Sequence, residues 1–157
     1  MKKKVFTSVA VMAAITSAMA ATTMAEDYKV GIVQYVDDAS LNQITENIEK
    51  ELDAKGEELG VTFNYADYFS NAQADSSVLN QISTDLLADQ VDVIVAIATP
   101  VAMVMQSATE DTDIPVIFSA VSDPVGAGLV ESMDAPGGNI TGTSDALDTA
   151  TIMNLML

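Results

Sequence analysis

The chain of 157 residues carries 23 acidic and six basic residues, which gives a formal net charge of −17 at pH 7. Such a charge argues against nucleic-acid binding, because phosphates need lysine and arginine to neutralise them, and against docking on anionic lipid. The sequence contains no histidine, cysteine, tryptophan or arginine. This composition excludes Ser-His-Asp and thiolate catalysis and removes the common metal ligands histidine and cysteine. We therefore predict no enzyme activity, no cofactor and no metal site.

The first 25 residues have the features of a secretory signal peptide. Residues 2–4 are lysines, residues 5–18 are apolar or small, and an Ala-x-Ala cleavage site ends at Ala20, with a second candidate site ending at Ala25. The apolar stretch is too short to span a bilayer well. We therefore expect export and cleavage, which would leave a periplasmic or extracellular protein with no stable membrane insertion.

Beyond residue 25, short apolar segments alternate with segments of helical periodicity. Strands are predicted at 29–35, 61–69, 91–98, 114–120 and 139–144. One helix is predicted from residue 40, with its apolar stripe on Leu41, Ile44, Ile48, Leu52 and Leu59. Further helices are predicted through Val78, Ile82 and Leu86, at 100–109, at 124–133, and from residue 146 onward. The first of these helices has three candidate caps, Asp37, Asp38 and Ser40, and Ser40 with Gln43 matches a capping box. Ser70 with Gln73 repeats that spacing.

This alternation predicts an α/β fold, with a parallel sheet, helices on both faces and right-handed crossovers. The segment 93–98 is apolar throughout, as expected for a strand that is buried on both faces. Open sheets of this kind bind small molecules at the carboxyl ends of their strands. Residues that follow the predicted strands are therefore the candidate binding residues.

Two of the predicted turns from strand to helix place a hydroxyl or carboxylate before proline, as Thr99-Pro100 and Asp123-Pro124. We predict Thr99 and Asp123 as helix N-caps. The Thr99 hydroxyl, with the first-turn amides of Val101 and Ala102, is suited to a carboxylate, because a helix N-terminus attracts anions.

The other candidate contacts complete a site for a zwitterion such as an amino acid. Asp123 is suited to an ammonium group, and Tyr35 is suited to stacking on a flat ligand or donating a hydrogen bond. Asn71 and Gln73 are weaker candidates, since they follow the second predicted strand. Each of these residues alone is also explained as an ordinary cap or rim residue, so the prediction depends on their meeting at one sheet edge.

Five segments carry a resemblance to a known family: residues 31–36 (GIVQYV), 71–73 (NAQ), 92–100 (DVIVAIATP), 114–130 (IPVIFSAVSDPVGAGLV) and 136–142 (PGGNITG). In these segments the chain resembles the substrate-binding proteins of ABC transporters of the tryptophan/tyrosine-uptake type, which have the periplasmic-binding-protein type I fold. The similarity runs from about residue 29 to the end of the sequence. Where that family commonly has Glu-His-Pro after the first strand, this chain has Asp37, Asp38 and Ala39.

The resemblance implies a two-lobed protein that closes on an amino-acid-like or other carboxylate ligand and delivers it to a membrane permease. Residues 26–145 would form the first lobe, and residues 146–157 would begin a second lobe. The residues that the resemblance places in the cleft are Gln34, Tyr35, Thr99, Pro100, Ser119, Val121, Ser122 and Asp123.

Two other functions remain open at this stage. The same fold serves as the ligand-sensing domain of exported or membrane-bound receptors, which the sequence downstream of Leu157 would reveal through a membrane span. An exported enzyme with a flavodoxin-like sheet is disfavoured by the missing histidine and cysteine and by the missing phosphate loop.

Overall fold

The computed structural model describes residues 26–146 and Met153. The predicted signal peptide and most of the predicted second-lobe segment lie outside the described residues. The strands are β1 (Asp27–Gln34), β2 (Thr62–Asn64), β3 (Phe69–Asn71), β4 (Val93–Ile97), β5 (Val116–Val121) and β6 (Ile140–Ser144). The helices are α1 (Ala39–Leu59), α2 (Ser76–Ala88) and α3 (Thr99–Thr109).

The strands form one six-stranded sheet in the order β2-β1-β4-β5-β6, and β3 pairs with β1 beyond the end of β2. Every pairing is parallel. Helices join β1 to β2, β3 to β4 and β4 to β5. This confirms the predicted α/β fold with a parallel sheet, and it means that all strands run in the same direction.

Helices cover both faces of the sheet, as predicted. On one face α2 and α3 pack over Ile94 and Phe118, which are at most 1% exposed. On the other face Ile48 and its neighbours in α1 pack over Ile32 and Val95. Burial of an apolar side chain stabilises a fold by about 1.5–3 kcal/mol, so these two layers hold the strand ends in a fixed frame.

Two predicted elements differ from the observed ones. The segment 61–69, predicted as one strand, forms the short strands β2 and β3 with a turn between them. In that turn the amide of Tyr68 donates to the carbonyl of Tyr65 at 3.0 Å. The segment 124–133, predicted as a helix, forms a turn over residues 124–128 and then irregular structure.

One helix cap matches a predicted candidate and another differs. Asp38, one of the three candidates for α1, caps that helix, and its carboxylate accepts from the amide of Ser40 at 2.8 Å. Asp75 caps α2 in the same way, whereas Ser70 lies inside β3. Aspartate is a strong N-cap because its carboxylate complements both the free amides and the helix dipole. Leu59, predicted on the buried stripe of α1, is 63% exposed.

Candidate functional site

The carboxyl ends of four strands form one continuous edge. In register, Asn71 of β3 lies beside Gln34 of β1, Gln34 beside Ile97 of β4, and Ile97 beside Ser119 of β5. Neighbouring strands in a sheet are about 4.8 Å apart. The turns that follow β1, β3, β4 and β5 therefore meet at this edge, which brings most of the predicted contact residues together.

At the end of β1 the predicted contacts Gln34 and Tyr35 point in different directions, because successive strand residues face opposite sides of a sheet. Gln34 is 1% exposed, and its amide is hydrogen-bonded to Val36, Asn42 and Thr45. Tyr35 is partly buried and packs against the core on the α2 and α3 face. The edge thus presents Tyr35, while Gln34 lies beneath α1.

The loop between β3 and α2 is tied to the end of β1. The amide of Ala72 donates to the carbonyl of Gln34 at 2.9 Å, and the amide of Ala74 donates to the carbonyl of Tyr35 at 2.8 Å. The side chain of Asn71 accepts from the amide of Gln73 at 2.9 Å, which shapes the loop. Gln73 and Ala74 both have positive φ. This loop therefore lies directly beside Tyr35.

The turn between β4 and α3 has an unusual backbone. Ala98, not Thr99, is the cap residue, with φ of 86° and ψ of 151°, and its side chain cannot cap the helix. Thr99 is the first helical residue, followed by exposed Pro100. The first-turn amides of Thr99 and Val101 have no intrahelical acceptor. The amide of Ala102 was predicted to be free as well, but it donates to the carbonyl of Ala98 at 3.1 Å.

A backbone hydrogen bond between β4 and β5 explains why the cap position falls on Ala98 and not on Thr99. Its amide donates to the carbonyl of Ser119 at 2.9 Å, so the strand pairing extends one residue beyond Ile97 and the helix must begin at once. A φ near 86° with ψ near 151° is a region occupied almost only by glycine, and strain of this kind gathers at functional sites. The turn consequently leaves the Thr99 side chain, which is partly exposed, at the edge.

After β5, the predicted contacts are divided between the core and the edge. Val121 is fully buried in the core, while Ser119 is partly exposed and Ser122 and Asp123 are exposed. Asp123 does not cap a helix. Its carboxylate accepts from the amide of Gly126 at 2.8 Å and closes the turn over residues 124–128.

The charges near this edge are negative. In the described part of the chain, Lys29 lies near the amino end of β1, and Lys50 and Lys55 lie in the half of α1 that runs away from the edge. The side chain of Lys29 donates to the carbonyl of Asp89, which follows α2. Among the described residues, the groups at this edge that could hold a carboxylate are amide dipoles and hydroxyl groups.

The opposite edge of the sheet carries a surface cavity of about 630 Å³, lined by Gln106, Glu110, Glu131 and Asn139 among others. Asn139 precedes β6, and Glu110 follows α3, so this cavity lies at the amino ends of the strands. Two of its polar side chains are engaged within the fold, since Gln106 donates to the carbonyl of Leu129 at 3.0 Å and Asn139 to that of Ile114 at 2.8 Å. It is separate from the predicted site.

Residues 26–146 and Met153 contain no helix that is long and apolar enough to cross a membrane. In the same residues, no three histidine, cysteine, aspartate or glutamate side chains are grouped so that they could hold a metal ion.

Sequence reasoning missed three residues that shape the edge. Asn42 and Thr45 in α1 bind the side chain of Gln34, and Gly126 leaves room for the carboxylate of Asp123. The sequence did contain a signal for Asn42 and Thr45, namely Gln34 at the end of an apolar strand. A glutamine that is buried there needs hydrogen-bond partners on the helix that covers it.

Comparison with known proteins agrees with this architecture. Residues 29–156 match the sequence profile of the family described as ABC transporter substrate binding protein. The chain belongs to this family. It is 40% identical over 127 residues to the tyrosine-binding protein of Clostridioides difficile (strain R20291), covering 81% of this chain and 36% of that protein.

Solved structures of substrate-binding proteins share the fold. An ABC domain in complex with L-Trp from Streptococcus pneumoniae is 38% identical, with a TM-score of 0.67 over 77% of this chain and 39% of that one. The ligand-free, open structure of a substrate binding protein with adhesive properties from Clostridium difficile is 35% identical, with a TM-score of 0.70 over 82% of this chain and 42% of that one. The chain thus spans about two fifths of the length of these relatives.

Proposed function

We propose that this family member is the extracytoplasmic solute-binding component of an ABC importer and that its ligand is an aromatic amino acid, which it delivers to a membrane permease. The observation that carries the proposal is the register that aligns the ends of β3, β1, β4 and β5 at one edge. Relatives that are 40% and 38% identical are a tyrosine-binding protein and a complex with L-Trp, which supports an aromatic ligand.

In this proposal, each part of the ligand meets a different turn. The ligand carboxylate binds the Thr99 hydroxyl and the free amides at the start of α3. The ligand ammonium group binds the carboxylate of Asp123, and the aromatic ring packs against Tyr35. Ser119, Pro100 and Ser122 line the space between these groups, and a second lobe closes over them.

Calorimetric titration of the complete gene product tests the proposal. We expect L-tyrosine, L-tryptophan or L-phenylalanine to bind more tightly than L-leucine or L-alanine. Tyramine lacks the carboxylate and 3-(4-hydroxyphenyl)propionate lacks the ammonium group, so each should bind about 10- to 100-fold more weakly than tyrosine, as expected for an unpaired polar group in the site. If none of these compounds binds, the proposal is wrong.

The proposed location has its own test. Residues 1–25 are expected to direct a fused reporter out of the cytoplasm and to be removed, and replacing residues 2–4 by glutamate should retain the reporter inside. A reporter that stays cytoplasmic with the intact segment contradicts the export part of the proposal.

A further inference from the structure

The side chain of Gln34 is the centre of a buried hydrogen-bond network at the ligand edge. Its amide nitrogen donates to the carbonyl of Val36 at 2.7 Å and to the side-chain oxygen of Asn42 at 2.6 Å. Its amide oxygen accepts from the hydroxyl of Thr45 at 2.8 Å. Both hydrogens of the amide are thus used, and Gln34 and Thr45 are at most 5% exposed.

The network continues into the loop that joins β1 to α1. Asn42 donates from its own amide nitrogen to the carboxylate of Asp37 at 2.7 Å. Asp38, which follows Asp37 in the chain, caps α1. Three consecutive loop residues, Val36, Asp37 and Asp38, are therefore each fixed to β1 or α1, and they follow Tyr35 directly in the chain.

We propose that Gln34, Asn42 and Thr45 are positioning residues that hold Tyr35 in the orientation in which it meets the ligand. This inference rests on the proposed function. A side chain that is held in its binding orientation before the ligand arrives loses less conformational freedom on binding, which increases affinity. Gln34, predicted from the sequence as a direct contact, would thus act through Tyr35.

The chemistry of the network supports this role over simple filling of space. A buried amide is costly whenever one of its partners is missing, and an apolar residue would fill the end of β1 without that cost. Only a side chain with two donor hydrogens and one acceptor fits these three partners. Glutamate does not fit, because its carboxylate cannot donate hydrogen bonds to Val36 and Asn42.

The first experiment measures coupling between Asn42 and Tyr35 in the affinity of the complete gene product for L-tyrosine, L-tryptophan and L-phenylalanine. We expect Asn42→Ala to weaken binding about fivefold in the wild-type background. In a Tyr35→Ala background, Asn42→Ala should have no further effect, because it acts through the residue already removed. Equal effects in both backgrounds would overturn the inference.

A matched control separates positioning from general loss of stability. Asn139 has a comparable set of bonds, donating to the carbonyls of Thr109 and Ile114, but it lies at the opposite edge of the sheet. Asn139→Ala should lower the thermal stability and leave affinity unchanged. Within the network, Thr45→Ser keeps the hydroxyl and should retain affinity, whereas Thr45→Val should reduce it.

A second measurement needs no ligand. Residues 1–157 contain no tryptophan, so in a protein of these residues Tyr35→Trp places a single fluorescent reporter at this position. Its time-resolved anisotropy should show a larger amplitude of fast motion when Asn42→Ala is added, and no change with Asn139→Ala. If the reporter is unchanged by Asn42→Ala, the positioning role is wrong, whether or not an amino acid binds. If the reporter responds but no amino acid binds, the proposed function alone fails.

Discussion

The carboxylate of Asp123 occupies the space that a β-carbon on residue 126 would need, and it accepts a hydrogen bond from the amide of Gly126 at 2.8 Å. The two residues are both exposed, and together they close the turn that follows β5. The position of a proposed ligand contact therefore depends on the absence of a side chain three residues away.

Gly126→Ala is expected to displace the Asp123 carboxylate and weaken binding of the amino acid about three- to tenfold, the effect of losing one hydrogen bond. Stability should change little, because neither residue is part of the core. Calorimetric titration and thermal melting measure the two effects. Gly138→Ala is the control, since a β-carbon there meets open space. Affinity that is equal in the two variants contradicts the proposed role of Asp123.

Thr99→Val removes a hydroxyl while it keeps the size of the side chain and the amides of α3. Binding of an aromatic amino acid should weaken by about 1–2 kcal/mol, and binding of its amine analogue without a carboxylate should not change. Thr84→Val in α2, on an exposed position, is the matched control. A loss of affinity that is the same for the amino acid and the amine would place the Thr99 hydroxyl away from the carboxylate.

Ala98→Gly should stabilise the protein by about 1 kcal/mol, because relief of a strained backbone outweighs the greater chain entropy of glycine. Ala54→Gly, on an exposed position in α1, should instead destabilise the fold by a similar amount. Urea unfolding of both variants gives the two free energies of unfolding. If Ala98→Gly lowers the free energy of unfolding as much as Ala54→Gly does, the backbone of Ala98 at φ 86° is not strained.

Tyr65 is expected to contribute to stability in a pH-dependent way. The hydrogen bond from its hydroxyl to the carboxylate of Asp53, at 2.9 Å, raises the pKa of Tyr65 above its ordinary value of 10.0, with desolvation as a further cause. Because the neutral phenol is favoured in the fold, the contribution is complete below pH 10.0 and is lost as pH rises through the folded-state pKa.

Tyr65→Phe should therefore lower the free energy of unfolding at pH 8 by about 0.5 kcal/mol and converge with the wild type at alkaline pH. Urea unfolding across this pH range measures the difference. Asp53→Asn keeps an acceptor but removes the charge, so it should reduce the pH dependence. A constant difference between Tyr65→Phe and the wild type at every pH shows that the hydrogen bond is not the cause.

The part of the proposed site that could be predicted from the sequence was the meeting of the strand ends at one edge. Tyr35 and Thr99 were predicted as contacts because each follows or ends an apolar strand, and Ser119 was implied by the family resemblance. The parallel register places those strand ends side by side. The direction in which each side chain points was harder to predict from the sequence. Gln34 and Val121 lie in the same segments, yet they are buried, because strand alternation and the position of α1 decide which residues face the edge.

The sequence by itself determined the α/β alternation, the parallel sheet and the edge where the turns gather, because buried strands and amphipathic helices are encoded by the local order of apolar residues. Only the tertiary structure decided the split of residues 61–69 into two strands and the backbone of Ala98 at the start of α3. These features depend on contacts between distant residues, such as the bond from Tyr65 to Asp53 in α1 and the pairing of Ala98 with Ser119. Local propensity cannot specify them, since the free energy of each comes from a partner that the fold brings into reach.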